Sequence, residues 1–263
     1  MRIASFAVLG LFVAMAAAAH ADDWSKTYEV NGKPELAIRT TDADIHVDTW
    51  DQSTITAHVT TENVKIGEGG ITIHEQQSGN AINLEVQFPH RFVTLTTGHH
   101  RVSIEVHMPR EGKVNLQTGD GSIELSHLKG EMQMRSGDGH LEINAVDGDL
   151  RAHTGDGYIR AAGRFDQLDA TTGDGKIEAS ALSGSNIRSD WSLRTGDGSV
   201  ALQIPENLSA NVFLHTGDGR ITANVPLTLE GEIGKSELRG KLNGGGNLLT
   251  IHTGDGSIQL NKL

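Results

Sequence analysis

Between Val114 and Leu260 apolar and polar residues alternate in short runs, and one recurring phrase punctuates them. Thr-Gly-Asp-Gly, once with Ser in place of Thr, stands at 118–121, 136–139, 154–157, 172–175, 195–198, 216–219 and 253–256, with start-to-start spacings of 18, 18, 18, 23, 21 and 37. Two residues past each second glycine comes Ile123, Leu141, Ile159, Ile177, Val200, Ile221 or Ile258, and two further on a second apolar residue, from Leu125 to Leu260. The residues between these columns are mostly polar, as with Glu124, Glu142, Arg160 and Glu178. A period of two predicts a half-buried strand. The run before each phrase obeys the same rule, with Val114/Leu116, Met132/Met134 and Trp191/Leu193 facing inward.

Each unit is therefore expected to be strand, Gly-Asp-Gly corner, strand, and a second corner such as Leu128-Lys-Gly130 or Val146-Asp-Gly148. Units of 18 residues cannot bury an apolar face alone, so they must stack. The expected class is all-β, a β-solenoid (β-helix-like) of coils spaced by about 4.8 Å. The surplus residues of the longer spacings fall near 185–190 and 206–210, where loops can bulge. The 37-residue interval reads either as a degenerate coil around 234–242 or as a long loop ending at 244–247. Residues 22–110 keep the strand habit, as in "ELAIRTTDADIHVDTW", without the glycine corner. They are expected to be irregular coils and a cap of one domain, 22–263, with the regular repeats from 111 onward. The chain follows its last apolar pair with three residues only, so the final coil is expected to present an open end, with end-to-end self-association as one way of covering it.

At the corners, glycine is expected to supply positive φ and the aspartates, Asp120, Asp138, Asp156, Asp174, Asp197, Asp218 and Asp255, to bond nearby backbone N–H groups in Asx-turns. The preceding Thr should point inward and satisfy a corner amide. A row of like charges about 5 Å apart costs ~0.8 kcal/mol per neighbour in water, so compensation is expected. Cationic or titratable residues flank the row: Arg135, His153, Arg194, His215 and His252 just before the phrase, and His140, Lys176 and Arg220 just after it. This stripe is the candidate interaction surface. The neighbouring acids should favour its protonated imidazoles, and anionic envelope polymers are its candidate partners, bound more tightly in mild acid.

Residues 1–21 read as a secretory signal: Arg2, an apolar run, and Ala19-His20-Ala21 as a small-x-small cleavage site. Export to the periplasm or the cell surface is expected, with no transmembrane segment after cleavage. Cysteine is absent, which removes disulfides, thiolate metal sites and thiol nucleophiles. Losing Arg2 with the leader takes the 22 Lys plus Arg to 21 against 34 acids, a net charge of −13. That balance repels phosphate backbones and argues against nucleic acid.

Other chemistry fares poorly. Stacked aspartates resemble a calcium ligand row, but the second corner lacks the partner ligands of a nonapeptide β-roll, so calcium is a lesser alternative. His99-His100 are adjacent and face opposite sides of a strand. The fragment at 231–236 lacks the first glycine of a phosphate loop, because position 229 is Leu229. Ser126-His-Leu-Lys129 lacks the companion motifs of penicillin-interacting enzymes. A polysaccharide-active enzyme is the remaining catalytic alternative, weakened by few, scattered aromatics. No catalytic residue, metal ligand or cofactor is expected.

The run "IEVHMPREGKVNLQTGDGSIELSHLKGEMQMRSGDGHLEI", the later Thr-Gly-Asp-Gly copies and the "DADIHV" strand resemble a bacterial family of exported β-strand-repeat proteins, domain of unknown function 4097, often labelled candidate adhesins. The resemblance covers roughly 28–263. It implies a β-solenoid in the envelope or on the surface and supplies no catalytic residue. The function expected is a non-enzymatic, adhesin-like or structural interaction surface.

Overall fold

The computed structural model describes residues 21–89, 100–230, 234 and 236–263. The expected signal run, apart from Ala21, and His99 lie outside the described residues, as does most of the phosphate-loop-like fragment.

Alternation of branched and polar residues yields strands throughout, and among the described residues there is no helix. In chain order they are β1 (Ala21–Glu29), β2 (Glu35–Thr40), β3 (Asp44–Trp50), β4 (Thr54–Glu62), β5 (Thr72–Ser78), β6 (Ala81–Gln87), β7 (Arg101–Pro109), β8 (Glu111–Gln117), β9 (Ile123–Ser126), β10 (Lys129–Arg135), β11 (Leu141–His153), β12 (Ile159–Thr172), β13 (Ile177–Ala181), β14 (Trp191–Thr195), β15 (Val200–Ile204), β16 (Ala210–Thr216), β17 (Ile221–Asn224), β18 (Leu227–Leu229), β19 (Glu237–Leu242), β20 (Leu248–Thr253) and β21 (Ile258–Lys262). They form one large mixed sheet.

Two ladders run through it, joined where the long strands β11 and β12 pass from one to the other. The first runs β5, β6, β2, β8, β10, the later half of β11, the later half of β12, β14, β20, β16, β19, β18. The second runs β1, β4, β7, β3, β9, the early half of β11, the early half of β12, β13, β15, β21, β17. Pairing is parallel within the repeats and antiparallel only toward the ends, at β1–β4–β7, β5–β6 and β16–β19–β18. Inward residues of both ladders form one apolar cluster, in which Ile38, Ile45, Leu116, Ile123, Leu193 and Ile258 are fully buried. Trp191 belongs to this core. Its indole N–H donates to the Asp166 carbonyl at 3.3 Å, and Phe165 meets it edge-on at 6.3 Å.

Chain order and spatial order part at both ends. The strands β2 and β3 slot between β6/β7 and β8/β9, and the last strands, β20 and β21, slot between β14/β15 and β16/β17. The expectation of an open final coil is thereby overturned: β20 and β21 are hydrogen-bonded on both flanks. The 37-residue interval is neither a degenerate coil nor a plain loop, because it supplies β18 and β19, which turn antiparallel against β16. Apolar cover thins at that end, where Ile221 and Ala223 are half-exposed although their counterparts along the ladder are buried. No helix among the described residues is long and apolar enough to cross a membrane.

Candidate functional site

The Thr-Gly-Asp-Gly phrases connect the first ladder to the second, and their turns stack on one another. Gly137, Gly155, Gly173, Gly196, Gly254 and Gly217 each donate an N–H to the equivalent carbonyl of the neighbouring turn at 2.5–2.6 Å. The preceding hydroxyl is buried and works twice. Ser136, Thr154, Thr172, Thr195, Thr253 and Thr216 donate to the carbonyl of the neighbouring turn's second glycine at 2.7–2.8 Å. In most units the same oxygen accepts its own second glycine's N–H, as at Gly139, 3.0 Å.

The expected reason for the glycines is corrected. None of the fourteen has positive φ. A Cβ on the second glycine of any phrase would instead lie 1.8–2.1 Å from the carbonyl oxygen of the adjacent turn, and one on the first glycine 2.4–2.7 Å from it. Glycine is required here by the closeness of backbones. Positive φ occurs instead where the chain passes back from the second ladder to the first, at Gly130 of β10 (142°) and Gly148 of β11 (135°), and at His127 (61°) and Ala145 (54°) beside them.

The seven aspartates between these glycines are exposed, and they form one row whose spatial order is Asp120, Asp138, Asp156, Asp174, Asp197, Asp255, Asp218. An eighth, Asp42, leads it, because Gly119 and Asp120 donate to the Thr41 carbonyl at 3.0 and 3.1 Å. The phrase Thr40-Thr41-Asp42-Ala43 is thus a degenerate copy in which both glycines are replaced. The register of "RTTDADIHV" on "QTGDGSIEL" could have found it. Among the described residues no Gly-Asp-Gly turn adjoins Thr41 and Ala43 on the side away from Gly119 and Gly121. Burial, then Asp120 and Asp44, raise the Asp42 carboxyl above its ordinary value.

Among the described residues the seven phrase carboxylates make no hydrogen bond and no ion pair, so the expected Asx-turns and the expected compensation by flanking cations are both absent. The backbone ladder and the Thr hydroxyls already satisfy the turn, leaving the acids to solvent. No three His, Asp or Glu side chains of the described residues converge where a metal ion could sit.

The predicted stripe divides in two. On the first ladder, pairing places Arg39, Gln117, Arg135 and His153 side by side, and then, past Thr171, Arg194, His252 and His215. On the second ladder's side stand His140, Lys176 and Arg220, each engaged differently. His140 Nδ1 lies 2.9 Å from the Ser122 hydroxyl with its ring stacked on Tyr158 at 4.7 Å, Lys176 pairs with Glu178, and Arg220 is exposed. Arg39 belongs to the row and was missed for want of a glycine turn after it. An open cleft of about 550 Å³ lies between Arg39 and Arg135 across Gln117.

Arg39, Arg135 and Arg194 have no ion pair among the described residues, whereas Arg110, Arg160, Arg164, Arg188 and Arg239 all do. The expectation that neighbouring acids favour protonated imidazoles fails at His252. Burial first, then His215 and Arg194, hold its ring below the ordinary imidazole value.

Residues 35–261 match the family model of Toastrack DUF4097. No curated protein matches the chain. Solved structures resemble it at low identity. One is a candidate cell adhesion protein from Clostridium sporogenes, 14% identical, covering 93% of this chain and 100% of its own, TM-score 0.43. Another is a candidate lipid binding protein from Parabacteroides distasonis, 14% identical over 91% and 96%, TM-score 0.46. A third is a candidate adhesin from Bacteroides fragilis, 10% identical over 92% and 97%, TM-score 0.41. With the match extending from Glu35 to Asn261, the chain belongs to the Toastrack DUF4097 family.

Proposed function

We propose that the protein is exported, that its stacked strand–turn–strand units constitute a β-solenoid with Gly-Asp-Gly corners, and that it serves as a non-enzymatic, adhesin-like contact surface in the cell envelope. One observation carries the reading: among the described residues an acid-rich chain leaves three arginines of a single row, Arg39, Arg135 and Arg194, without carboxylate partners. Exposed charges left unpaired in a fixed line cost self-repulsion and offer a ready complement to a charged polymer. The test is binding of the mature chain to anionic envelope glycans, beside a variant with all three arginines changed to Gln. Loss of binding in the variant is expected; equal binding by both proteins would overturn the row as the contact surface.

A polysaccharide-active enzyme is the second reading, favoured by one place on the outer face of the second ladder. There His46 is flanked in register by Glu105 and Glu124, in an open cleft of about 320 Å³ that also holds Asp48 and His107. Two carboxylates one strand either side of a histidine stand about 9.6 Å apart by strand spacing, within reach of inverting geometry. Sustained release of reducing ends from a polysaccharide panel, lost in Glu124→Gln, would put this reading first.

A further inference from the structure

Resting on the reading of the row as a contact surface, we propose that Arg194, His252 and His215 form a subsite for a phosphate monoester group, which is taken up together with a proton. The three residues occupy the same register position on neighbouring parallel strands: Arg194 of β14 pairs with His252 of β20, which pairs with His215 of β16. Their side chains therefore leave one outward face at steps of about 4.8 Å. The imidazoles lie parallel, 3° between planes, with centroids 5.1 Å apart. Arg194 and His252 are exposed, and His215 is half-exposed. Among the described residues Arg194 has no ion pair and the His252 ring no hydrogen-bond partner.

A guanidinium beside two imidazoles, with no countercharge on it among the described residues, offers a set of donors to an acceptor. A phosphate monoester presents three oxygens. Two suit the planar fork of Arg194, and the third can accept an imidazole N–H from His252. A carboxylate would satisfy the fork and leave the imidazole unused.

The surroundings set the pH response. His252 faces Arg194 on one side and His215 on the other. Beyond His215 stands Glu237 of β19, 3.9 Å from its Nδ1, and Glu237 is bound by Arg239 at 2.8 Å. The exposed acids Asp197, Asp255 and Asp218 sit on the turns that follow the three strands and touch none of the three side chains. Burial and the two basic neighbours disfavour the His252 cation. A bound dianion reverses that balance, so binding draws a proton onto the ring. A phosphate monoester, somewhat more acidic than inorganic phosphate, surrenders its second charge near pH ~6. Its affinity should therefore rise as pH falls, peak near that value and then decline. Sulfate keeps both charges over this range, so its affinity should go on rising.

The experiment follows the His252 and His215 ring signals of the full mature chain by NMR while inorganic phosphate, sulfate or acetate is added between pH ~5.5 and ~8. Saturable shifts with phosphate well ahead of acetate are expected. Arg194→Gln should weaken phosphate about tenfold or more, His252→Gln should flatten the pH dependence, and Arg110→Gln, between β7 and β8, should change neither. Vesicles of phosphatidylcholine with and without phosphatidic acid separate the sources. Binding only to the acidic vesicles assigns the group to a lipid headgroup, and binding of inorganic phosphate without vesicle capture assigns it to a soluble phosphate. Ring signals that ignore phosphate, or an Arg194→Gln variant that binds it like the wild type, would overturn the subsite. Glycan binding that persists through Arg39 and Arg135 in that case would leave the broader contact surface standing.

Discussion

At Gly157 a Cβ would lie 2.1 Å from the Gly139 carbonyl oxygen, so even alanine must push two stacked turns apart. Gly157→Ala should lower stability by more than ~2 kcal/mol in denaturant unfolding. Gly79 is the control. It has φ of 60° and nothing within 4 Å of a built Cβ, so Gly79→Ala should cost only about 1 kcal/mol. Equal losses at both sites would restore backbone conformation as the cause at the phrase. Ala145 carries the opposite expectation: an L-residue at φ 54° is strained, and Ala145→Gly should raise stability by about 0.5 kcal/mol. That the phrase needs glycine is legible in the repeat itself. The cause is not, because a sequence shows neither φ nor the distance to the next turn. Arg39 and Asp42 stayed hidden for a related reason: their turn reads Thr41-Asp42-Ala43, without the glycines that mark the other copies.

Between elements, the partly buried charges meet where β11 and β12 pass from one ladder to the other. Arg164 of β12 donates to Asp147 of β11 at 2.5 Å and, through both terminal nitrogens, to Asp166 at 2.7 and 2.8 Å, while Arg188 stands 3.2 Å from Asp166. The bond from Arg164 holds the Asp166 carboxyl below its ordinary value. A depressed folded pKa means that the pair's stabilisation is complete above the unfolded carboxylate value near ~3.9 and is lost as pH falls through the folded one. Asp166→Asn should therefore cost about 2 kcal/mol at neutral pH and much less in strong acid. A cost that stays constant as pH falls would remove the ion pair as its source. The strands themselves were readable from their period of two, and so was the inward place of Trp191. The cap strands β18 and β19 were not, since their antiparallel turn against β16 rests on contacts far apart in sequence and lacks the repeat's phrase.

For the whole molecule, the least legible property was the order of the units. Each presents the same apolar columns and the same turn, so any unit can stack on any other, and nothing in the phrase states which neighbours it takes. Burial on both flanks should leave the amides of Ile258 and Leu260 among the slowest to exchange with deuterium. Exchange as fast as at Ile221 and Ala223 would return the last strands to an edge. Removing residues 248–263 should uncouple β16 and β17 from β14 and β15, appearing as a second unfolding transition or loss of folding in the C-terminal third. A chain that merely shortened by one unit, with one cooperative transition retained, would contradict the insertion.

The same insertion has a mechanical side. A stack laid down in chain order can be peeled from its end, one rung at a time, under a small steady pull. Here tension applied at Leu263 arrives at strands gripped by neighbours on both flanks, so the first rupture must tear two parallel seams together, loaded lengthwise in shear. A pulling measurement should record one tall force peak at the outset, where a row of small equal steps would mark a tape unwinding. On the proposed reading of the row as a contact surface, such a clasp would keep it straight under load.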